Sequence, residues 1–189
     1  MPAQESVVHY RIDPAMSRFT VKVSAAGLLA GFGHNPTIVM RDCSGEADFL
    51  PATLEQAALR LTLRPGSCEV TDDVSQKDKL EIETRMKQEV LEVSRYPEIA
   101  FESTSVSPTQ MGDRQYAARI VGNLTLHGAT HSQTVVCQVA LTDETLRGFG
   151  ELSLRQTDYG IKLVSVAGGT LKVKDEIKCS FDISARRQA

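Results

Sequence analysis

The chain has 189 residues, of which 41% are hydrophobic and 24% charged. This composition is typical of one soluble globular domain and excludes a disordered chain, a collagen and a coiled coil. The formal net charge is −3, from 21 basic and 24 acidic residues, and neither sign forms a long run. We therefore expect no nucleic-acid partner and no electrostatic attachment to an anionic membrane.

The amino-terminal residues, MPAQESVVHYRID, lack the basic region and apolar region of a secretory signal. The longest apolar stretch, Ala25 to Phe32, has eight residues, far fewer than the roughly 20 that cross a bilayer as a helix. Two alternatives follow: a cytoplasmic protein, which is our prediction, or a chain whose signal has been removed. In either case we expect no integral membrane association.

Alternating apolar and polar residues, the pattern of half-buried strands, dominate the chain. In the first such run, FTVKVSA, the side chains of Phe19, Val21 and Val23 lie on one face. A further strand is predicted around Ile38 to Met40. The same alternation recurs in ALRLTLRPG, EIAFEST, RIVGNLTLHG, VVCQVAL, ELSLRQ and EIKCSFDIS. About eight or nine strands, with Gly and Pro between them, predict a mainly β fold, either a small antiparallel barrel or a sandwich.

One segment, between Thr71 and Tyr96, has helical spacing instead. Ile82, Met86, Val90 and Val93 recur at steps of four, four and three, which predicts an amphipathic helix. Ser75, followed three residues later by Asp78, is a weak N-terminal cap, and Pro97 blocks extension of the helix beyond Tyr96. Because the apolar face of a single helix must rest on something apolar, we expect it to cover part of the barrel. No change of composition marks a linker, so residues 1–189 are predicted to form one domain.

The four cysteines, Cys43, Cys68, Cys137 and Cys179, contain no CxxC pair, which excludes a zinc ribbon and a thioredoxin-type site. Most lie in predicted strands, where free cysteines behave as small buried hydrophobic residues. Two disulfides are possible on number alone, but a chain of this size does not need them.

The absence of tryptophan, with only six Phe and four Tyr, predicts an aliphatic interior. Such an interior suits a flexible hydrocarbon better than a flat cofactor. An eight-stranded barrel is either filled by its side chains or just wide enough for one small ligand, and the strand pattern alone favours the filled core.

Five segments, in order, resemble the YceI-like family of lipocalin-like β-barrels that bind polyisoprenoids. They are YRIDPAMSRFTVKV, GLLAGFGHNPTI, VLEVSRYPEIAFEST, GNLTLHGAT and RQTDYGI. One departure is the helix end, EVLEVSRYPEI, where many relatives carry a Phe-Phe pair, so we expect that end of the barrel to differ in shape.

The resemblance implies a lipocalin-like antiparallel barrel that binds, transports or stores a polyisoprenoid or isoprenoid quinone without catalysis. It implies no cofactor or metal beyond such a bound lipid, and it leaves a homodimer open. The predicted apolar lining comprises Phe19, Val21, Val23, Leu61, Phe101, Leu124, Leu126, Leu152 and Phe181. Head-group contacts are predicted at His34, Arg155, Asp158 and Tyr159.

Two other readings stay open at this point. Arg155, Asp158 and Tyr159 form the most enzyme-like cluster, so a small hydrolase or isomerase acting on a lipid-like substrate is one alternative. The chain contains no GxSxG, HExxH, P-loop or dinucleotide-binding motif to support it. The other alternative is a filled barrel that serves as a structural or dimerising module.

His127 and His131 flank the expected hairpin turn at Gly128, which makes them a weak metal signal.

Overall fold

The computed structural model describes residues 6–26, 36–51, 53–54, 56–166 and 171–189. The strands are β1 Val8–Ile12, β2 Arg18–Lys22, β3 Ala25–Ala26, β4 Thr37–Met40, β5 Cys43–Phe49, β6 Ala58–Leu63, β7 Glu69–Val70, β8 Ile99–Gly112, β9 Gln115–Leu126, β10 Ala129–Leu141, β11 Thr145–Arg155, β12 Ser165–Val166, β13 Leu171–Val173 and β14 Glu176–Arg187. One helix, α1, spans Gln76–Arg85 and continues into a π-helical turn, Met86–Val90.

Eight strands form a closed antiparallel barrel in the order β1, β5, β6, β8, β9, β10, β11 and β14, and β14 pairs with β1 to close the ring. The predicted mainly β, antiparallel barrel is therefore confirmed, and the sandwich alternative is wrong. The inward faces match across neighbouring strands because side chains alternate with a period of two. Phe19 lies opposite Phe181, for example, and Leu61 lies opposite Phe101.

At one end of the barrel, β14 changes its pairing partner from β2 to β1. Strand β14 pairs with β2 through residues 178–182 and with β1 only through residues 185–187, because a short 3-10 turn, Pro14–Met16, separates β1 from β2. Beyond β2 the sheet continues through β4 to β7. Within the described part of the chain, no strand pairs with the far edge of β7, and α1 packs there instead.

The helix begins where the sequence predicts. The Ser75 hydroxyl accepts a hydrogen bond from the backbone amide of Asp78 at 3.1 Å, which satisfies one of the free amides of the first turn. Ile82 and Met86 pack on the apolar core, as expected from the spacing. The helix ends at Val90, before the Tyr96 limit set by Pro97, since Glu92 takes a positive φ of 43°.

Two clusters of buried residues occupy the two ends of the barrel. The cluster at the helix end includes Val70, Val90, Leu91 and Tyr159. The cluster at the opposite end includes Tyr10 and Phe49, whose rings stack with centroids 5.1 Å apart. The space between these clusters contains the candidate site.

Candidate functional site

The barrel interior contains an apolar cavity of about 280 Å³. That volume is close to the lower limit for small-molecule pockets in proteins. Its wall is made almost entirely of Val, Leu, Ile, Ala, Met and Phe residues. The strand pattern alone favours a filled core, and that reading is wrong, because the inward-facing side chains leave this space between them.

All nine side chains predicted to form the apolar lining border the cavity: Phe19, Val21, Val23, Leu61, Phe101, Leu124, Leu126, Leu152 and Phe181. Several are only half-buried although they point inward, among them Leu61 and Phe101. A side chain in a packed core would be covered on every side. These residues instead keep one side free towards the cavity. Their contact with a ligand stays a prediction.

Glycine widens the cavity at one position. Gly148 belongs to the inward face of β11 and borders the cavity. A Cβ atom placed there would meet no atom within 4 Å. At Gly150, two residues further along the same face, a Cβ would lie 2.7 Å from the Val136 carbonyl oxygen. The open space is therefore local to Gly148, and the neighbouring glycine serves close packing.

Parts of the lining come from segments that the sequence analysis did not assign to the site. The helix end contributes Met86, Val90 and Leu91, and the chain between β5 and β6 contributes Leu54 and Ala57. The helix residues follow the predicted apolar stripe, so the pattern contained a signal for them. The residues between β5 and β6 have no regular pattern and could not be found in this way.

Few polar groups border the cavity. Among the described lining residues, the only charged one is Asp48, whose carboxylate contacts His9 Nδ1 at 2.5 Å. Gln156 is buried, with 7% of its surface exposed, and lines the end of the cavity near the helix. Its side-chain Nε2 donates to the Lys174 carbonyl oxygen at 2.9 Å. Gln156 cannot be identified from the sequence, because a single amide belongs to no motif.

Two thiols also face the cavity. Burial raises the pKa of Cys137 to about 11 and that of Cys179 to about 12. All four cysteines are free thiols, and Cys43, Cys68 and Cys137 are buried. Both cavity thiols therefore stay protonated and uncharged at neutral pH, which keeps this part of the wall apolar.

The predicted head-group residues do not form one cluster. Arg155 is exposed, and its Nε donates to Asp175 Oδ2 at 3.0 Å. Asp158 is exposed on the following turn. Tyr159 is buried, and its hydroxyl accepts a hydrogen bond from Gln133 Nε2 at 2.8 Å. Burial raises the pKa of Tyr159, and none of these three residues borders the cavity.

His34, the fourth predicted head-group residue, lies outside the described residues, as does most of the segment GLLAGFGHNPTI. A contact between any of these four residues and a head group stays a prediction.

The two histidines of the LHGATH hairpin contact different partners. His127 Nε2 lies 2.7 Å from Glu92 Oε2, and His127 Nδ1 lies 3.2 Å from the Tyr159 carbonyl oxygen. His131 packs edge-on against the Tyr159 ring. These contacts join the β9–β10 hairpin to the end of the helix. Within the described ranges, no three His, Cys, Asp or Glu residues are grouped so that they could bind a metal.

The YceI-like domain model matches residues 10–185, almost the whole barrel. The chain belongs to the YceI-like family. No curated protein matches it. In the described part of the chain, no helix has the length and apolar character needed to cross a membrane.

Solved structures with the same fold come from several bacteria. BcnA of Burkholderia cenocepacia superposes with a TM-score of 0.69 at 18% identity, over 92% of this chain and 98% of BcnA. A polyisoprenoid-binding domain of Saccharophagus degradans, implicated in plant cell wall breakdown, gives 0.66 at 15% identity, over 95% and 98%. The YceI protein of Campylobacter jejuni gives 0.61 at 16% identity, over 82% and 87%. At such identities the likeness concerns the fold.

Proposed function

We propose that this YceI-like protein binds one long apolar lipid chain, a polyisoprenoid or the tail of an isoprenoid quinone, inside the barrel. The observation that carries the proposal is the apolar cavity of about 280 Å³. Each methylene group moved from water into such a wall contributes about 0.8 kcal/mol. A long tail therefore binds by burial alone, without a strong polar contact.

Membership of the YceI-like family supports this ligand class, as does the likeness in fold to a domain described as polyisoprenoid-binding. The aliphatic wall also supports it. Branched aliphatic side chains and a few Phe rings fit a flexible branched hydrocarbon, whereas a flat aromatic cofactor would gain from stacking on larger rings.

We further propose that the protein carries or stores its lipid and does not transform it. A catalytic site needs an acid or base within hydrogen-bond reach of the reacting atoms. Arg155, Asp158 and Tyr159, the most enzyme-like residues of the sequence, lie outside the cavity lining, and Arg155 bonds to Asp175 instead. The predicted cytoplasmic location and a homodimer belong to the same proposal. Cell fractionation tests the first, and light scattering of the purified protein tests the second.

Lipid binding is tested in two steps. Organic-solvent extraction of purified protein, followed by mass spectrometry, identifies any lipid that copurifies. Titration of the delipidated protein with a polyprenol then measures uptake directly. We expect saturable binding with one lipid per barrel. If extraction yields no lipid and the delipidated protein takes up no polyprenol, the proposal is wrong.

A variant that fills the cavity locates the binding. Gly148→Leu places a side chain in open space, so we expect a folded protein whose polyprenol affinity falls at least about tenfold. Val136→Ala is the matched control, since Val136 is 58% exposed on the outer face of the neighbouring strand. If both variants bind polyprenol as the parent chain does, the lipid is not held in the cavity.

A further inference from the structure

Resting on the proposed function, we propose that Gln156 selects the head group of the bound lipid, and that this head group is uncharged and carries a hydroxyl. The favoured ligand class is then a free isoprenoid alcohol or a hydroquinone. An ether or a phosphate ester of the same tail is disfavoured.

Gln156 lies at the end of the cavity near the helix, beside Leu154 and Ile161 of the buried cluster there. It follows the last residue of β11 and begins the short turn Gln156–Tyr159. Ser17 and Gln156 are the polar residues that the structure buries within its described ranges, and of these two only Gln156 lines the cavity. Its lining neighbours, Leu154 and Ile161, are aliphatic.

The hydrogen bonds of Gln156 determine what it offers to a ligand. Its Nε2 donates to the Lys174 carbonyl oxygen, so the amide nitrogen is turned to the barrel wall. No described donor bonds to its Oε1. No fully buried side-chain nitrogen or oxygen among the described residues lacks a partner, so Oε1 borders open space. Within the described ranges Oε1 therefore has no donor, and Gln156 lines the end of an apolar cavity, so we take this oxygen to be the acceptor that a ligand meets.

A free acceptor discriminates between head groups through desolvation. When a lipid covers Oε1 without donating a hydrogen bond, a buried acceptor is left unsatisfied, which weakens binding by about tenfold or more. A hydroxyl satisfies it, whereas a methyl ether has no hydrogen to donate. An alcohol should therefore bind more tightly than its ether although the two tails are identical.

The charges around the cavity disfavour a phosphate inside it. None of the described lining residues is Lys, Arg or His, and the carboxylate of Asp48, the one charged lining residue, is paired with His9. A phosphate moved into this space would lose its hydration without gaining a counter-charge, which is strongly unfavourable. The side chain of Lys174 is exposed, so it does not supply such a charge within the cavity.

The test compares three ligands of one chain length: a polyprenol, its methyl ether and its diphosphate. Each is titrated into the delipidated full-length protein. We expect the alcohol to bind about tenfold more tightly than the ether, and the diphosphate to bind less tightly than the alcohol. In Gln156→Leu the alcohol and ether should bind equally, while the ether keeps its affinity.

Two further variants keep the test decisive. Gln138→Leu removes an exposed amide from the outer face of β10 and should leave the alcohol-to-ether ratio unchanged. Gln156→Met provides a second removal of the amide with similar shape, should the leucine disturb the fold. The ratio is measured within each variant, so a general loss of stability does not mimic the expected result.

The outcomes separate this inference from the proposed function. If the parent protein binds alcohol and ether equally, or binds the diphosphate most tightly, the role of Gln156 is overturned and lipid binding stands. An unchanged ratio in both Gln156 variants also overturns it. If none of the three ligands binds, the proposed function itself is wrong.

Discussion

The backbone amide of Val70 donates a hydrogen bond to Oε1 of Glu83 at 2.9 Å. Val70 ends β7, the last strand of the sheet beyond β2 and β4, and Glu83 lies on α1. An exposed strand edge carries unpaired amides that invite pairing with another chain. Here a helix side chain supplies the acceptor, so the helix continues the barrel wall where the sheet stops.

Glu83→Ala removes that acceptor and leaves the buried Val70 amide without a partner. We expect the free energy of unfolding to fall by about 2 kcal/mol, or about 5 °C in melting temperature for a chain of this size. Urea and thermal unfolding measure the change. Glu81→Ala, an exposed residue of the same helix, is the control. Equal losses in the two variants would mean that helix propensity, and not the contact with β7, is responsible.

The β9–β10 turn is built from His127 and Gly128, with φ values of 51° and 78°, the left-handed conformations of a two-residue hairpin turn. A Cβ atom on Gly128 would lie 2.7 Å from Cε1 of Tyr96. Gly160 also has a positive φ, of 68°, but a Cβ there would meet no atom within 4 Å. Substituting the two glycines therefore distinguishes two contributions to the free energy of unfolding: backbone strain alone at Gly160, and strain together with a steric clash at Gly128.

We expect Gly160→Ala to lower the free energy of unfolding by about 1–2 kcal/mol, from the left-handed backbone alone. Gly128→Ala carries the same strain and in addition displaces Tyr96, so we expect a loss of roughly 2–4 kcal/mol. Equilibrium urea unfolding of both variants gives the comparison. If Gly128→Ala loses no more free energy of unfolding than Gly160→Ala does, the Tyr96 ring moves aside freely.

The strands and the helix were predictable because each depends on local alternation. Val21 and Leu152 face inward because side chains alternate between the two faces of a strand and the apolar ones lie on the buried face. Met86 follows the helical spacing in the same way. The space between them depends on the distance across the closed barrel, which no local pattern encodes. This is why strand alternation on its own favoured a filled core, and why the resemblance to a lipid-binding family was needed to predict a cavity.

The candidate site was predictable only in its apolar part. Gln156 could not be predicted, because its importance comes from its burial at the end of the cavity, and that depends on where the fold places Lys174 and Ile161. Arg155 and Asp158 form a charged cluster in the sequence, but in the folded protein Arg155 donates its hydrogen bond to Asp175. Spacing along the chain does not determine which of two nearby carboxylates an arginine reaches.

Asp175 connects Arg155 to the turn that begins with Gln156. Its carboxylate accepts hydrogen bonds from the Thr157 amide at 2.8 Å, the Thr157 hydroxyl at 2.7 Å and Arg155 Nε at 3.0 Å. The bond from the Thr157 amide is the main cause of the lowered pKa of Asp175, and the Thr157 hydroxyl adds to it. Because the folded protein binds this proton more weakly than the unfolded chain does, the carboxylate stabilises the fold near neutral pH.

That contribution is lost as the pH falls through the lowered pKa of Asp175. We therefore expect Asp175→Asn to reduce the free energy of unfolding at pH 7, and the difference from the parent protein to shrink in acid, below the ordinary aspartate pKa of about 3.9. Urea unfolding at several pH values measures the difference. Asp158→Asn is the matched control, because Asp158 lies on the same turn and accepts none of the hydrogen bonds from Thr157 and Arg155 that Asp175 accepts. If the free energy of unfolding of Asp175→Asn is lower than that of the parent protein by the same amount at every pH, the substitution has instead removed a contact that does not depend on charge.

Because of the two cavity thiols, we expect the free energy of unfolding to depend on pH in the alkaline range. Burial raises the pKa of Cys137 from 9.0 to about 11 and that of Cys179 from 9.0 to about 12. The unfolded chain loses these protons first, so the folded state loses stability as the pH rises above 9, until each thiol reaches its own folded pKa. In that interval each thiol lowers the free energy of unfolding by about 1.4 kcal/mol per pH unit.

Cys179→Ala isolates one thiol, because it leaves the other titrating groups in place. We expect the parent protein and the variant to have parallel pH profiles below pH 9, and the variant to lose stability less steeply above it. Urea unfolding at intervals from pH 8 to pH 11 measures both profiles. Identical slopes above pH 9 would mean that water reaches Cys179 and ionises it in the folded protein, in which case the cavity wall is less apolar than its residues suggest.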